Sequence, residues 1–340
     1  MEPDASDRAR RATLEGRVVN LSRERLLAEA AALSFRPEIL EKVARLLSLL
    51  EALRRHPRLK GRLALKGGTA LNLFHFDVPR LSVDIDLNYI GSADREAMLA
   101  ERPDLERAIE VVGQAEGMST VRVPDEHAGG KWQLRYQSAL GQAGNVEVDL
   151  NYMLRVPLWP VQALDSRPLG RFTASAVPLL DIHEIAAGKL AALLSRRASR
   201  DLFDAHALLA RRDIDDARLR TAFVAYGAMN RVDWRTVTPD SIGFEVEELR
   251  EQLLPVLRSA AFRGDRELKA WADGLVADCR KGLSRLFPFT EAEREFLDRV
   301  LDHGEIRAEL LTADEALAGR IAQHPSLAWK AQNVRKHFGR

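Results

Sequence analysis

The stretch LSVDIDLNYI, residues 81–90, alternates between apolar and polar side chains. Its apolar positions are Val83, Ile85 and Leu87, and its polar positions are Asp84, Asp86 and Asn88. Successive side chains of a β-strand point to opposite faces, so a period of two predicts a strand with one buried and one polar face. The stretch NVEVDLNYM, residues 145–153, repeats the pattern, with Glu147, Asp149 and Asn151 on the polar side. The two stretches predict a sheet with a core on one face and a polar surface on the other.

The rest of the pattern divides the chain into three predicted regions. Apolar residues at steps of three and four predict helices between residues 18 and 55, the second opened by Pro37. Strands are predicted at residues 63–66, 119–123, 132–138 and 145–154, and a helix at 94–117. The predicted domains are an N-terminal helical region at 1–58 that packs on the core, a core at 59–180 and a helical C-terminal domain at 181–340.

Prolines and capping signals place the last of these boundaries. Four prolines fall between residues 155 and 180, a stretch predicted to separate two domains. Asp181 and Glu184 then have the spacing of a capping box, with Asp181 as N-cap. Ser199 is the predicted cap of the next helix. Helical patterns dominate from there to the end of the chain.

Composition and charge narrow the class of protein. Hydrophobic residues make up 46% of the chain and charged residues 30%, as in soluble globular proteins. Because 51 Lys and Arg face 50 Asp and Glu, no global basic field favours nucleic acid. A single cysteine, Cys279, excludes an intrachain disulfide framework. Since no signal peptide and no long apolar run is evident, we expect a cytoplasmic protein with no membrane partner.

The aspartates are candidate metal ligands. Asp84 and Asp86 lie on the same face of one predicted strand, and a neighbouring strand would bring Asp149 beside them. Like charges this close repel each other unless a cation lies between them. Mg²⁺, or alternatively Mn²⁺, takes carboxylate oxygens and substrate phosphates, and three carboxylates are typical of two-metal phosphoryl transfer. The alternative interpretation is a polar strand face in solvent.

A glycine-rich turn precedes the first aspartate strand. Lys66, Gly67, Gly68 and Thr69 stand at the start of an apparent helix. Glycines let backbone N–H groups approach a phosphate closely, a helix start favours anions, and Thr69 adds a hydroxyl donor. The Walker pattern is absent. These four residues are candidate triphosphate ligands, as is Arg80, which precedes the aspartate strand. A plain turn and a solvated arginine are the alternatives.

The order of these motifs resembles a known superfamily. A G-[GS]-[ST] turn followed by D-x-D on a strand is similar to the DNA polymerase β-type nucleotidyltransferases. The segments KGGTALNL, RLSVDIDL and GKLAALLSRRASRDLFD, within residues 60–210, more closely resemble the AbiEii family, which includes the MenT toxins of type IV toxin–antitoxin and abortive-infection systems. The resemblance implies an α+β fold, with a small mixed β-sheet nucleotidyltransferase core, flanking helices and a mainly helical C-terminal domain.

The same resemblance implies roles for residues and partners. Gly68, Thr69, Asp84 and Asp86 match the family's first motifs, and Asp149 matches its third carboxylate. Lys189 and Asp204 fall in the downstream motifs. Lys189 would supply a cation for the nucleotide phosphates, and Asp204 would orient Lys189 or bind nucleotide or acceptor. The implied reaction transfers NMP from an NTP to the 3′ end of tRNA and blocks translation, and the implied protein partner is a cognate AbiEi-like antitoxin.

Two other functions remain open from the sequence. The acceptor could be a protein or a small molecule, or the chain could be a nucleotide-binding regulator without turnover. Three retained carboxylates count against the regulator. Basic residues cluster at 196–220 and near the C-terminus, where an RNA backbone could bind. Solvated helix faces are the alternative explanation for both clusters.

Overall fold

A computed structural model describes residues 21–123, 129–259, 262 and 264–337. The predicted N-terminal region before residue 21, and Arg340 of the C-terminal basic cluster, lie outside these ranges. The helices are α1 Arg23–Leu33, α2 Pro37–Arg55, α3 Gly67–Ala70, α4 Arg95–Ala115, α5 Ile182–Ser195, α6 Ser199–Leu209, α7 Asp216–Ala228, α8 Val246–Glu248, α9 Asp265–Leu283, α10 Glu291–Asp298, α11 Glu315–Ala322 and α12 Pro325–His337. The strands are β1 Leu63–Lys66, β2 Asp84–Tyr89, β3 Ser119–Val123, β4 Gly129–Gln137, β5 Ala143–Asn151, β6 Gln162–Leu164 and β7 Val177–Leu179.

Short helical turns connect several of these elements. The π-helical turns are Leu71–His75, Leu249–Leu253 and Arg299–His303. The 3-10 turns are Trp234–Thr236, Pro239–Ser241, Leu254–Val256 and Ala308–Leu310. The turn at Leu71–His75 continues α3 directly, so the glycine-rich segment does open a helical stretch. No helix in the described ranges is long and apolar enough to cross a membrane.

The strands form one mixed sheet in the order β3-β4-β5-β2-β1-β7-β6. β2 is parallel to β5 and β1 is parallel to β7, whereas the other neighbours are antiparallel. The strands predicted at 132–138 and 145–154 are present as β4 and β5, which form an antiparallel hairpin, and the fold is α+β as expected. The stretch between 155 and 180 was predicted only to separate two domains, but it also contributes β6 and β7 to the sheet. β7 pairs with β1. Strands of three residues are too short to show a periodic pattern.

The alternation along the central strands has the predicted effect on burial. Ile85 and Leu87 of β2 and Val148 and Leu150 of β5 are buried at no more than 3% exposure, and Trp132 of β4 is buried with them. Helix α2 packs on β5 and β7, and α4 packs on α2 and β3. The apolar side chains of β2 and β5 therefore pack into the core on one face of the sheet. The polar side chains between them point to the opposite face, where a site can form.

The predicted capping box at the start of α5 is only half correct. Asp181 caps the helix by accepting a 2.9 Å bond from the backbone N of His183. Glu184 does not reach back to the cap, because it is buried and accepts bonds from Trp159 N at 3.1 Å and Tyr226 Oη at 3.0 Å. Burial raises the pKa of Glu184 to about 7. Glu184 therefore bonds to residues distant in sequence and not to the N-cap residue of its own helix.

The predicted cap of α6 is one residue too late. Ala198 occupies the N-cap position, and Ser199 is the first helical residue. The backbone N of Ser199 instead donates a 2.7 Å bond to Glu248 at the end of α8. Helix α6 packs between α5 and α9, and α5 also packs on α7. The C-terminal helices thus contact the part of the chain that contains the sheet through α5, which packs on α3.

Candidate active site

Four carboxylates project from the polar face of two neighbouring strands. The register of β2 and β5 pairs Asp84 with Glu147 and Asp86 with Asp149. Directly paired residues on adjacent strands leave the sheet on the same face. All four side chains are partly exposed, and every apolar residue next to them in sequence except Val83 is buried. The sequence placed Asp84, Asp86 and Asp149 together but did not select Glu147, although it shares the parity of Asp149.

Cations flank the carboxylates on both sides along the sheet. Lys66 of β1 is in register with Asp86, and Lys131 of β4 is in register with Asp149. Lys131 Nζ lies 2.7 Å from Glu147 Oε2, and this bond raises the pKa of Lys131. Lys131 was missed by the sequence analysis, since only the β4–β5 register shows that it shares a face with Asp149.

Helix α6 adds a third cation to the group. Arg200 Nη1 lies 3.6 Å from Asp84 Oδ2, and both side chains are about one third exposed. Burial raises the pKa of Asp84, and Asp86 and Glu147 add to the rise, whereas Arg200 opposes it. Arg200 was not selected as a site residue, although it lies within the motif RASRDLFD that carried the family resemblance.

The glycine turn packs directly against the carboxylates. Gly67 has a φ of +73°, and a Cβ at this position would collide with Asp86 Oδ2. A Cβ on Gly68 would lie 2.8 Å from Arg80 Nη2 and 3.0 Å from Ser82 Oγ. Both glycines are therefore required by close approach, and Gly67 also by its left-handed backbone. Their predicted contact with a triphosphate stays a prediction.

Thr69 is hydrogen-bonded within the protein, and its predicted contact with a triphosphate stays a prediction. Its side chain is fully buried, and Oγ1 donates a 2.5 Å bond to the backbone oxygen of Asp84. A hydroxyl has one proton to donate, so it is not free to donate to a phosphate at the same time. The hydroxyl instead joins the glycine turn to the first residue of β2. This contact joins positions 15 residues apart, so the local sequence does not show it.

We predict that Gly67→Ala lowers transferase activity at least about tenfold, because the added Cβ displaces the Asp86 carboxylate from its position. The matched control is Gly61→Ala. Gly61 has a φ of +72°, which imposes the same backbone strain, but nothing lies within 4 Å of its Cβ position. Initial rates and melting temperatures of the two variants separate the effects. Equal activities of the two variants would show that the contact with Asp86 does not matter.

A buried ionic network lies beneath the glycine turn. Asp204 is fully buried and accepts bonds from Asn72 Nδ2 at 2.9 Å and from Arg80 Nε and Nη2 at 2.7 and 2.6 Å. Lys189 Nζ lies 3.0 Å from Asp204 and 2.8 Å from Asp201. Lys189 and Asp204, predicted together, are thus in direct contact. The network joins the core to α5 and α6.

Arg80 belongs to this network, and its predicted contact with a phosphate stays a prediction. Its side chain is 3% exposed, and its guanidinium binds Asp204 through two nitrogens and the backbone oxygen of Leu81 through the third. Its partner Asp204 lies 124 residues away, so this pairing is invisible in the local sequence.

The network holds its groups in their charged forms. Burial alone would raise the pKa of Asp204, but Arg80 and Lys189 outweigh burial and hold that pKa at about 2. Burial alone would lower the pKa of Lys189, but Asp204 and Asp201 raise it above its usual value. Arg196, which lies 2.7 Å from Asp201, is the third cation beside two carboxylates. Arg196 is mostly exposed and also faces Asp86 and Glu248, so it joins the buried network to the carboxylates of the sheet.

Comparison with known proteins identifies the chain. The profile described as nucleotidyl transferase AbiEii toxin, type IV toxin–antitoxin system, matches residues 48–310. The chain belongs to the AbiEii family. It is therefore a nucleotidyltransferase of the toxin type, and the resemblance found in the sequence is confirmed. No curated protein matches the sequence.

A solved structure shares the fold of this AbiEii protein. MenT4, a nucleotidyltransferase toxin from Mycobacterium tuberculosis H37Rv, is 20% identical in sequence and superposes with a TM-score of 0.60. The match covers 88% of this chain and 99% of MenT4. At this identity the likeness establishes the fold, namely a mixed sheet with flanking helices and further helices after it.

The residues of the AbiEii chain fit a magnesium site that the substrate completes. In the described parts of the chain, no group of three or more Asp, Glu, His or Cys side chains is arranged to hold a metal ion alone. Mg²⁺ usually takes only one or two protein carboxylates and fills its shell with water and substrate phosphates. Asp84 and Asp86 suit that mode, with Asp149 as the further candidate ligand. Metal binding by the three aspartates stays a prediction.

Proposed function

We propose that this AbiEii toxin transfers the NMP of an NTP, with Mg²⁺, to a hydroxyl at the 3′ end of tRNA and thereby blocks translation. The observation that carries the proposal is the register of β2 and β5, which gathers Asp84, Asp86, Glu147 and Asp149 beside the glycine turn. The glycine turn lies directly against the carboxylates. Such an arrangement suits a triphosphate that is bound through a divalent cation.

The reaction would need little covalent chemistry from the protein. The acceptor oxygen attacks the α-phosphorus, the bond from that phosphorus to the bridging oxygen breaks, and pyrophosphate leaves. Asp84 and Asp86 would hold the metal, and Asp149 would take the proton of the attacking hydroxyl. Bound Mg²⁺ would lower the pKa of that hydroxyl and neutralise charge on the triphosphate. Gly67 and Gly68 would hold the triphosphate, and Lys189 would supply a positive charge for its phosphates.

The arrangement of cations supports an anionic acceptor. Lys131 lies on β4, on the far side of β5 from the glycine turn. Arg200 lies beside Asp84 on the α6 side. Both are partly exposed and stand where an incoming RNA backbone could pass. Each would bind backbone phosphates of the RNA and would not distinguish one base sequence from another.

Membership of a toxin–antitoxin family also supports a protein partner. We propose that a cognate AbiEi-like antitoxin neutralises the toxin and that both act in the cytoplasm, where tRNA and NTPs are abundant. Coexpression of the two genes with growth as the readout tests this. Growth arrest by the toxin that the antitoxin relieves is the expected result, and arrest that it does not relieve would contradict the pairing.

The central experiment incubates the purified protein with Mg²⁺, total tRNA and each α-³²P-labelled NTP in turn. We expect label on tRNA with at least one NTP, release of pyrophosphate, and loss of both in the double variant Asp84→Asn/Asp86→Asn. Label on a protein band with none on tRNA would retain the chemistry and replace the acceptor. No label and no pyrophosphate with any NTP would overturn the proposal.

A further inference from the structure

A cavity of about 440 Å³ lies between α12 and the loop that follows α7. Trp329 of α12 lines it and is 56% exposed, which makes it the most exposed large apolar side chain in the described residues. By contrast, Trp132 and Trp234 are fully buried. A large apolar side chain that stays exposed to water is unusual, and one that lines a cavity of ligand size indicates a binding surface.

The charged side chains that line this cavity are all basic. Arg231 and Lys330 are charged, His337 is a third basic residue of the lining, and no acidic side chain in the described residues lines the cavity. Helix α12 itself contains no Asp or Glu and ends in Arg335, Lys336 and His337. Trp329, Asn333 and His337 follow each other at steps of four, so they form one stripe along the helix. The surface thus combines a flat aromatic ring with positive charge.

Both walls of the cavity are bonded to elements that carry site residues. Asn230 Nδ2 donates a 2.8 Å bond to Ser195 Oγ, at the end of α5. Lys189 lies six residues earlier on that helix, about 9 Å along its axis. On the other wall, Ser326 Oγ donates a 3.2 Å bond to the backbone oxygen of Met153, four residues after Asp149. The cavity is therefore joined by hydrogen bonds to the helix that carries Lys189 and to the chain just after β5, the strand of Asp149.

We infer that this cavity binds an unpaired nucleotide of the acceptor RNA, with its base stacked on Trp329 and its flanking phosphates on Arg231 and His337. The inference rests on the proposed RNA acceptor and adds a second contact to it. Aromatic stacking together with basic side chains is the usual equipment for single-stranded nucleic acid, because every base has a π-face and every phosphate a charge. An exposed indole alone would also suit a protein partner, but an all-basic lining favours a polyanion.

The test measures RNA binding without turnover. A fluorescein-labelled single-stranded RNA of about twelve nucleotides is titrated with the full chain, without NTP, and anisotropy gives the Kd. We expect Trp329→Ala to raise Kd about tenfold, because stacking on one aromatic ring contributes that much or more, and Trp329→Phe to stay within about threefold of wild type. Arg231→Ala should reduce the slope of log Kd against log salt by about 0.7.

The control is Val232→Ala. Val232 is exposed and adjoins Arg231 in sequence but does not line the cavity, so its variant should bind RNA as wild type does. Equal Kd values for wild type and Trp329→Ala would overturn the inference, while label on tRNA in the transfer assay would still support the proposed function. Loss of antitoxin binding in Trp329→Ala, with RNA binding intact, would assign the cavity to a protein instead.

Discussion

Replacing Asp86 with asparagine is expected to lower nucleotidyl transfer on the order of a thousandfold, since even residues that only orient a metal ligand contribute about 10- to 100-fold. Asp86 lies in register with Asp149 on one side and Lys66 on the other, and its carboxylate lies against Gly67. The amide keeps the size of the side chain but removes the negative charge that a divalent cation requires. Because Asp86 is partly exposed, the fold should tolerate the change.

The measurement is the initial rate of pyrophosphate release over a range of Mg²⁺ concentrations, with a melting curve for each variant. The matched control is Asp104→Asn. Asp104 is 58% exposed and lies 4.0 Å from its nearest basic partner, Arg58, so the same chemical change there should leave the rate unaltered. A rate for Asp86→Asn within tenfold of wild type, at saturating Mg²⁺, would remove Asp86 from the catalytic site.

The polar face of the sheet was predictable because strand periodicity is local. Alternation over a few residues decides which side chains of β2 and β5 face the same way, and it selected Asp84, Asp86 and Asp149. The register between the two strands is not local, since their pairing joins residues more than 60 positions apart. Only that register shows that Glu147 stands beside Asp84.

The hydrogen-bond partners of the residues around the site could not be predicted from the sequence for the same reason. Thr69 and Arg80 were assigned to phosphate because each stood near a motif, but their partners come from tertiary contacts. Ser199 looked like a cap by its residue type, yet Glu248 from another helix takes up its backbone N–H. Local chemistry suggests what a side chain can bond to, whereas packing decides which partner it meets.

Replacing Asp204 with asparagine is expected to lower the free energy of unfolding by about 3 to 5 kcal/mol, the usual effect of removing one partner from a buried ion pair. Asp204 is fully buried and lies within 3.0 Å of nitrogens of Arg80, Lys189 and Asn72. Its loss leaves Arg80 buried without a carboxylate partner and Lys189 with Asp201 alone. Urea unfolding measures the change. The added variant Arg80→Met should recover part of the loss, because it removes the uncompensated cation.

The matched surface change is Asp213→Asn, which removes a 64% exposed carboxylate from its ion pair with Arg211 and should alter stability by no more than about 1 kcal/mol. The pH dependence gives a second readout. The pKa of Asp204 is about 2 in the folded chain and about 3.9 when unfolded, so its charge contributes stability above pH 4 that is lost as the pH falls toward 2. Asp204→Asn should therefore flatten the acid limb of the stability profile. Unchanged stability and an unchanged acid limb would mean that the network positions the glycine turn without supporting the fold.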